Sequence, residues 1–133
     1  MKENELMVDD WVLWKGKQVQ VVSVSGVKYS FDHIDVTLAH CNNEKVLESH
    51  DIKSIQPIPL TPEILEKNGF TTHISHCGVK WLWIEKQKFE LAIDEENGNK
   101  ITTALGLIDI EIKYVHELQH ALKLCGIDKT IEL

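Results

Sequence analysis

Arginine is absent from the chain, and that absence narrows the possible partners before any motif is considered. Arginine supplies the bidentate fork that best reads guanine edges and phosphate oxygens, so its loss counts against nucleic-acid readout. No lysine run compensates. With 14 basic against 21 acidic residues the formal charge is −7, which repels a phosphate backbone. Long apolar runs are also missing: no stretch approaches the ~20 apolar residues of a membrane span. Met1-Lys2-Glu3-Asn4-Glu5-Leu6 contains no apolar signal core. A cytoplasmic protein without a membrane partner is expected. Cys41, Cys77 and Cys125 are odd in number and widely spaced, with no C-x-x-C pair, and read as reduced, structural thiols. A Gly-rich phosphate loop, a nucleophile elbow and a Ser/His/Asp arrangement are all lacking.

What is present is globular: 43% apolar and 26% charged residues, in a length that suits one ordinary domain or two very small ones. The first half reads as short strands with turn punctuation. Trp11-Val12-Leu13-Trp14 meets a tight turn at Lys15-Gly16-Lys17, and the apolar set of the next strand shifts from Val19/Val21 to Val22/Val24. A change of face within one strand predicts a bulge or sharp bend. After Ser25-Gly26, Val27, Tyr29 and Phe31 alternate with polar residues, as do Ile34, Val36 and Leu38 beyond an Asp32-His33 turn. Asn42-Asn43 turns the chain again, and Asp51 to Ile55 closes the unit. Residues 1–57 therefore predict a small SH3-like or KOW-like β-barrel.

Residues 58–70 read as a linker with a short helix. Pro57-Ile58-Pro59-Leu60 is extended, because each proline fixes its own backbone and disfavours helix in the residue before it. Thr61 as N-cap, Pro62 at the first helical position and Asn68-Gly69 as the stop predict a two-turn helix that presents Ile64 and Leu65 to an apolar surface. In residues 71–133, Val79 to Ile84 is apolar on nearly both faces. Phe89, Leu91 and Ile93 alternate, Asn97-Gly98 signals a type I′ hairpin, and Ile101 to Leu105 pairs back. Ile108, Ile110 and Ile112 follow. The expectation is an antiparallel β-meander of three or four strands packed by one C-terminal helix, roughly β-β-β-α, making the whole chain α+β.

That final helix holds His116-Glu117-Leu118-Gln119-His120, the letters of the H-E-x-x-H zinc-protease signature. At about 100° per residue from Val115, Leu118, Ala121, Leu122 and Cys125 fall within roughly 100° of arc. His116 and His120 then land on the opposite side, which predicts that both lie in solvent. A zincin needs a third protein ligand and a walled cleft. The positions three and six residues beyond His120 hold Lys123 and Gly126, and the only acids in the thirteen residues after it are Asp128 and Glu132. Upstream, His73, His76 and Cys77 are the available donors. The favoured reading assigns no catalytic residue, no metal and no cofactor. Its alternative is a zinc hydrolase with His116, His120 and His73 or His76 as ligands and Glu117 as general base.

His33, His40 and His50 sit at strand ends or turns, where a polar aromatic residue is ordinary. Trp11, Trp14, Trp81 and Trp83 are candidates for an interaction surface, although core packing accounts for most tryptophans in so small a chain. Trp14, beside the Lys15-Gly16 turn, is the one expected to be exposed and is the candidate binding residue.

The stretch Ile55 to Phe70, with Pro57-Ile58-Pro59-Leu60-Thr61-Pro62, and the closing Tyr114-Val115-His116-Glu117-Leu118-Gln119-His120-Ala121-Leu122-Lys123-Leu124-Cys125-Gly126 resemble a group of small proteins of Bacteroidetes genomes and their phage-like or mobile elements. The likeness is close over the linker helix and final helix, and only in outline over the β parts. It implies no established activity, and no zinc catalysis, because relatives replace the second histidine of the motif, for instance by asparagine. The expected function is a non-enzymatic interaction or adaptor module that binds a protein partner or forms a homo-oligomer. The alternatives are the zinc hydrolase and a nucleic-acid-binding small barrel.

Overall fold

The computed structural model of the chain describes residues 6–27, 33–40, 47–75, 77–84, 89–105 and 108–133. The fold is α+β and divides into two compact units, Met1–Ile58 and Pro59–Leu133, each built on one five-stranded antiparallel sheet. The division falls inside the proline-bracketed connector. Among the described residues, no helix is long and apolar enough to cross a membrane.

The first unit contains β1 (Trp11–Trp14), β2 (Lys17–Val27), β3 (His33–His40), β4 (Leu47–Asp51) and β5 (Ile55–Pro57), in the order β4-β3-β2-β1-β5. Lys15 and Gly16 take φ of 47° and 75°, the paired left-handed residues that a two-residue hairpin between β1 and β2 requires. The shift of apolar face in β2 is a bulge: the register with β3 changes between Val21 and Ser23 and leaves Val22 over, 38% exposed. Val19 and Val21 before it are buried, and Val24 after it packs against the same core. That core is Leu6, Val12, Val19, Val21, Ile52 and Ile55. Buried Asp10 holds the entry to it, accepting the Met7 N–H on its carboxylate at 2.7 Å and the Val21 N–H on its carbonyl at 2.9 Å.

Three expectations for this unit are corrected. Ser25-Gly26 does not break the strand, because pairing with β3 carries the ladder through to Val27 with Gly26 opposite Ile34. Asp51 to Ile55 is not one strand: Ile52–Ser54 form a 3-10 turn that buries Ile52, and β5 returns beside β1. Pro57, with no N–H to donate, ends β5 at the margin of the sheet, where a missing donor costs least. No pairing joins β4 to β5 among the described residues, so the sheet is open and not the closed barrel expected. Tyr29, Phe31, Asp32, Cys41 and the Asn42-Asn43 turn lie outside the described residues.

The second unit begins with the connector itself. Pro59 bridges Tyr114, and the Leu60 N–H donates to the Lys113 carbonyl at 2.8 Å. Helix α1 (Pro62–Lys67) therefore belongs to this unit rather than to a separate linker. Thr61 caps it by accepting the Ile64 N–H, and Leu65 is fully buried. Its end is a Schellman motif: Phe70 N–H reaches the Leu65 carbonyl, Gly69 N–H reaches that of Glu66, and Gly69 supplies φ of 83°. The Phe70 ring then meets Phe89 edge-on at 6.5 Å.

The sheet of this unit runs β10-β9-β8-β7-β6, a meander of β6 (Thr71–Ile74), β7 (Lys80–Ile84), β8 (Phe89–Asp94), β9 (Lys100–Leu105) and β10 (Ile108–Glu111). The sequence showed no sign of β6, since every residue of this edge strand is exposed and nothing in Thr-Thr-His-Ile alternates. The β8–β9 turn also differs from the type I′ hairpin expected. Glu95–Asn97 make a 3-10 turn whose start Asp94 caps, and positive φ falls on Gly98 and Asn99 rather than on Asn97 and Gly98. Leu82, Ile84, Phe89, Leu91, Ile93, Ile101 and Thr103 are buried, as are Val115, Leu118, Ala121 and Leu122 of helix α2 (Val115–Leu124).

Beyond α2, Ile127 and Ile131 are buried and the chain returns to α1. There the buried Asn68 amide pairs with the Glu132 backbone as a strand would, Nδ2 donating to the carbonyl and Oδ1 accepting the N–H, both at 2.7 Å. Its Nδ2 also donates to the Ile64 carbonyl at 2.7 Å. Lys67 Nζ donates to the Leu133 carbonyl beside it.

Candidate functional site

The H-E-x-x-H letters occupy the first turn and a half of α2, and that position decides what they do. Tyr114 is the N-cap, which puts Glu117 at the third helical position. Its Oε2 reaches back to accept the Lys113 N–H at 2.7 Å and the Tyr114 N–H at 3.2 Å. The Tyr114 N–H is the N-cap donor that the third helical residue satisfies in a capping box, and the Lys113 N–H lies just before it, so the candidate general base is engaged as a cap.

The expectation that both histidines lie in solvent is corrected. His116 is buried, its ring stacked on Tyr114 at 5.8 Å and 9° and met edge-on by His120 at 5.7 Å. Gln119 is buried as well. The packed arc of α2 thus extends past the apolar stripe onto the His116 side, where the imidazole is covered in part by the Tyr114 and His120 rings. His120 is half-buried. Cys125, counted in the arc, lies past the last residue of α2 as its C-cap and is an exposed free thiol, as is Cys77. Leu118 and Leu122 are nearly fully buried and hold the helix down as expected.

His73 lies on β6, exposed, with its ring stacked on Trp83 at 5.0 Å. His76 lies outside the described residues. Among the described residues no group of three His, Cys, Asp or Glu side chains is placed to hold a metal ion. His33 and His40 stand at the two ends of β3, and His50 lies within β4.

Trp14 is half-buried, not exposed: it packs against the core of the first unit while Lys15 Nζ lies 4.8 Å from its ring. Trp11 is half-buried too.

The open face of the second sheet is a different matter. Alternation along β7 buries Leu82 and Ile84 on one side and places Trp81 and Trp83, both half-buried, on the other. Register carries that second face across the sheet in an unbroken row: His73 opposite Trp81, Trp81 opposite Ala92, Ala92 opposite Thr102 and Thr102 opposite Glu111. Beside it, Trp83 stands opposite Glu90 and Ala104 opposite Asp109. Glu90, Ala104, Asp109 and Glu111 are exposed. The result is a shallow trough floored by Ala92, Thr102 and Ala104, with indole on one flank and carboxylate on the other. In the sequence, Trp81 and Trp83 lie on a strand that is apolar on nearly both faces, which gives no sign that one side is open. The available signal lay in β8, β9 and β10, whose described residues of the same parity are all small or charged.

Comparisons with protein-family models, with curated proteins and with solved structures find no match.

Proposed function

We propose that the chain is a non-catalytic protein-interaction module whose partner binds the open face of the second sheet. The observation that carries this reading is the pair of half-buried tryptophans, Trp81 and Trp83, on a face where their neighbours across β8, β9 and β10 are small or charged and His73 flanks them on β6. Aromatic anchors beside small residues are the usual centres of protein interfaces, since they bury large area at low entropic cost. The capping role of Glu117 and the burial of His116 count against the zinc-hydrolase reading. The carboxylates of the trough disfavour the nucleic-acid reading, because they would face phosphate.

In the first unit, consecutive hairpins followed by a return strand beside β1 support an SH3-like path, which we read as a rigid scaffold. The composition supports a cytoplasmic setting, and the resemblance to proteins of Bacteroidetes mobile elements is compatible with an adaptor role there.

A photo-crosslinking residue at Ala104, on the trough floor, tests the reading in living cells against the same residue at exposed Glu66 on α1. A discrete adduct specific to position 104 is expected, of either a partner or a second copy. Equal labelling at the two positions removes the reading. Metal analysis after zinc-supplemented purification is expected to give well below one zinc per chain, and one equivalent would restore the hydrolase.

A further inference from the structure

Resting on the interaction reading above, we propose that the open face of the second sheet takes a cationic segment of a partner protein, one that presents lysine or arginine side chains. Charge and geometry both point there. By strand parity the charged residues described on this face are Glu90, Asp94, Asp109 and Glu111 against Lys100, with Lys113 just beyond the end of β10. Asp94 is partly engaged, accepting from Glu96 N–H and Asn97 Nδ2. Glu111 faces Lys113 Nζ at 3.9 Å, an exposed pair that holds weakly and that an incoming cation displaces at little cost. Glu90 and Asp109 are left as exposed carboxylates. The chain as a whole carries −7, so a basic partner is also steered towards it from a distance.

The tryptophans make the face more than an acidic surface. Trp83 stands directly across from Glu90. His73 stacks on one face of that indole at 5.0 Å. A guanidinium or ammonium group laid against its other face is attracted by the ring and reaches the carboxylate on the next strand, while its methylene stem covers the Ala92 and Ala104 floor. A second seat lies at Asp109 and Glu111 on β10, two strands beyond Glu90 in the sheet order. Adjacent strands are about 4.8 Å apart, so the two seats are separated by about 10 Å. A segment crossing the strands in the polyproline II conformation repeats every three residues and rises about 3.1 Å per residue, which puts basic side chains three residues apart on one side, about 9 Å from each other. A strand of nucleic acid also stacks on tryptophan, but here its phosphates meet the same carboxylates that attract a cation.

The test uses the full chain and three synthetic peptides of one length, with Lys, Gln or Glu at every third position and alanine or glycine between, together with a single-stranded oligothymidylate. Binding is read by calorimetry at two salt concentrations. The Lys peptide is expected to bind at least tenfold more tightly than the Gln peptide, with affinity falling as salt rises, while the Glu peptide and the oligonucleotide do not bind. Glu90→Gln with Asp109→Asn, both exposed and near-isosteric, is expected to cost at least tenfold for the Lys peptide with the melting temperature unchanged. Lys100→Gln is expected to leave binding equal or tighter. Equal binding of Lys and Gln peptides, both lost in Trp83→Ala, overturns the cationic assignment and leaves the sheet-face reading standing. Binding of no peptide, binding unaffected by Glu90→Gln with Asp109→Asn, or preference for the oligonucleotide overturns the proposal outright. Absence of a position-104 crosslink as well removes the interaction reading beneath it.

Discussion

Replacing Asn68 by alanine isolates the contact that ties the end of the second unit to its first helix. Asn68 sits at φ −92° and ψ 14°, a conformation that alanine adopts freely, so the backbone of the helix stop is undisturbed. What is lost is three side-chain hydrogen bonds, two to Glu132 and one to the Ile64 carbonyl, at a residue only 5% exposed. A neutral hydrogen bond contributes about 1 kcal/mol net. Glu132 is itself exposed, and its backbone groups can rehydrate once the amide is gone, which keeps the direct loss near about 2 kcal/mol. If residues 127–133 then lift away, fully buried Ile131 is exposed too, for a further 1.5–3 kcal/mol at roughly the usual apolar burial. For a unit of this size each kcal/mol shifts the midpoint by about 4–8 °C, so the lower figure alone predicts a fall of about 8–16 °C. Thermal unfolding followed by circular dichroism gives the midpoint, and amide hydrogen exchange at Glu132 and Ile131 shows whether the segment has lifted. Asn68→Asp should fare little better, since a carboxylate keeps the Glu132 N–H but cannot donate. A midpoint within about 1 °C of the parent, with exchange at Glu132 unchanged, would refute the clamp.

Substitutions at Glu117 and Gly126 probe the two ends of α2. Glu117→Ala removes the acceptor for the Lys113 and Tyr114 N–H groups and is expected to destabilise by about 1 kcal/mol in urea titration, with Glu117→Gln losing less because its amide oxygen still accepts. Equal stability of Glu117→Ala and parent would show that the cap carries nothing. Gly126→Ala forces a side chain onto φ of 71° with open space around its Cβ, so the cost is the backbone strain alone, about 1–2 kcal/mol by denaturant unfolding. A neutral result there would mean that the stop of α2 adopts another conformation.

How much could be read from the sequence follows from how far apart the interacting residues lie. Helix α1 was legible because its signals are local: Thr61 caps it, Pro62 starts it and Gly69 stops it, all within nine residues. The Val22 bulge was legible because apolar parity reverses within one strand. Strand β6 was not, since an exposed edge leaves no alternation to detect. The two histidines of α2 were misplaced for a related reason. The packing arc was drawn from aliphatic residues alone, while His116 is buried through a stack on Tyr114 that hydropathy cannot register. The Asn68 clamp spans 64 positions and leaves no trace in either local pattern. The trough, likewise, exists only once register sets Trp83 beside Glu90 and Thr102 beside Glu111.

Val22 also bears on which changes of chain length the first unit can absorb. Without it, Val19, Val21 and Val24 would alternate regularly on one side, so the bulge is the place in β2 where one residue can be deleted without turning any later side chain over. A single insertion or deletion elsewhere in the strand inverts everything downstream of it. The curvature of this sheet is therefore stored as one removable residue, and lineages that flatten or bend the strand can do so in a single step at this position while its inner face stays the same.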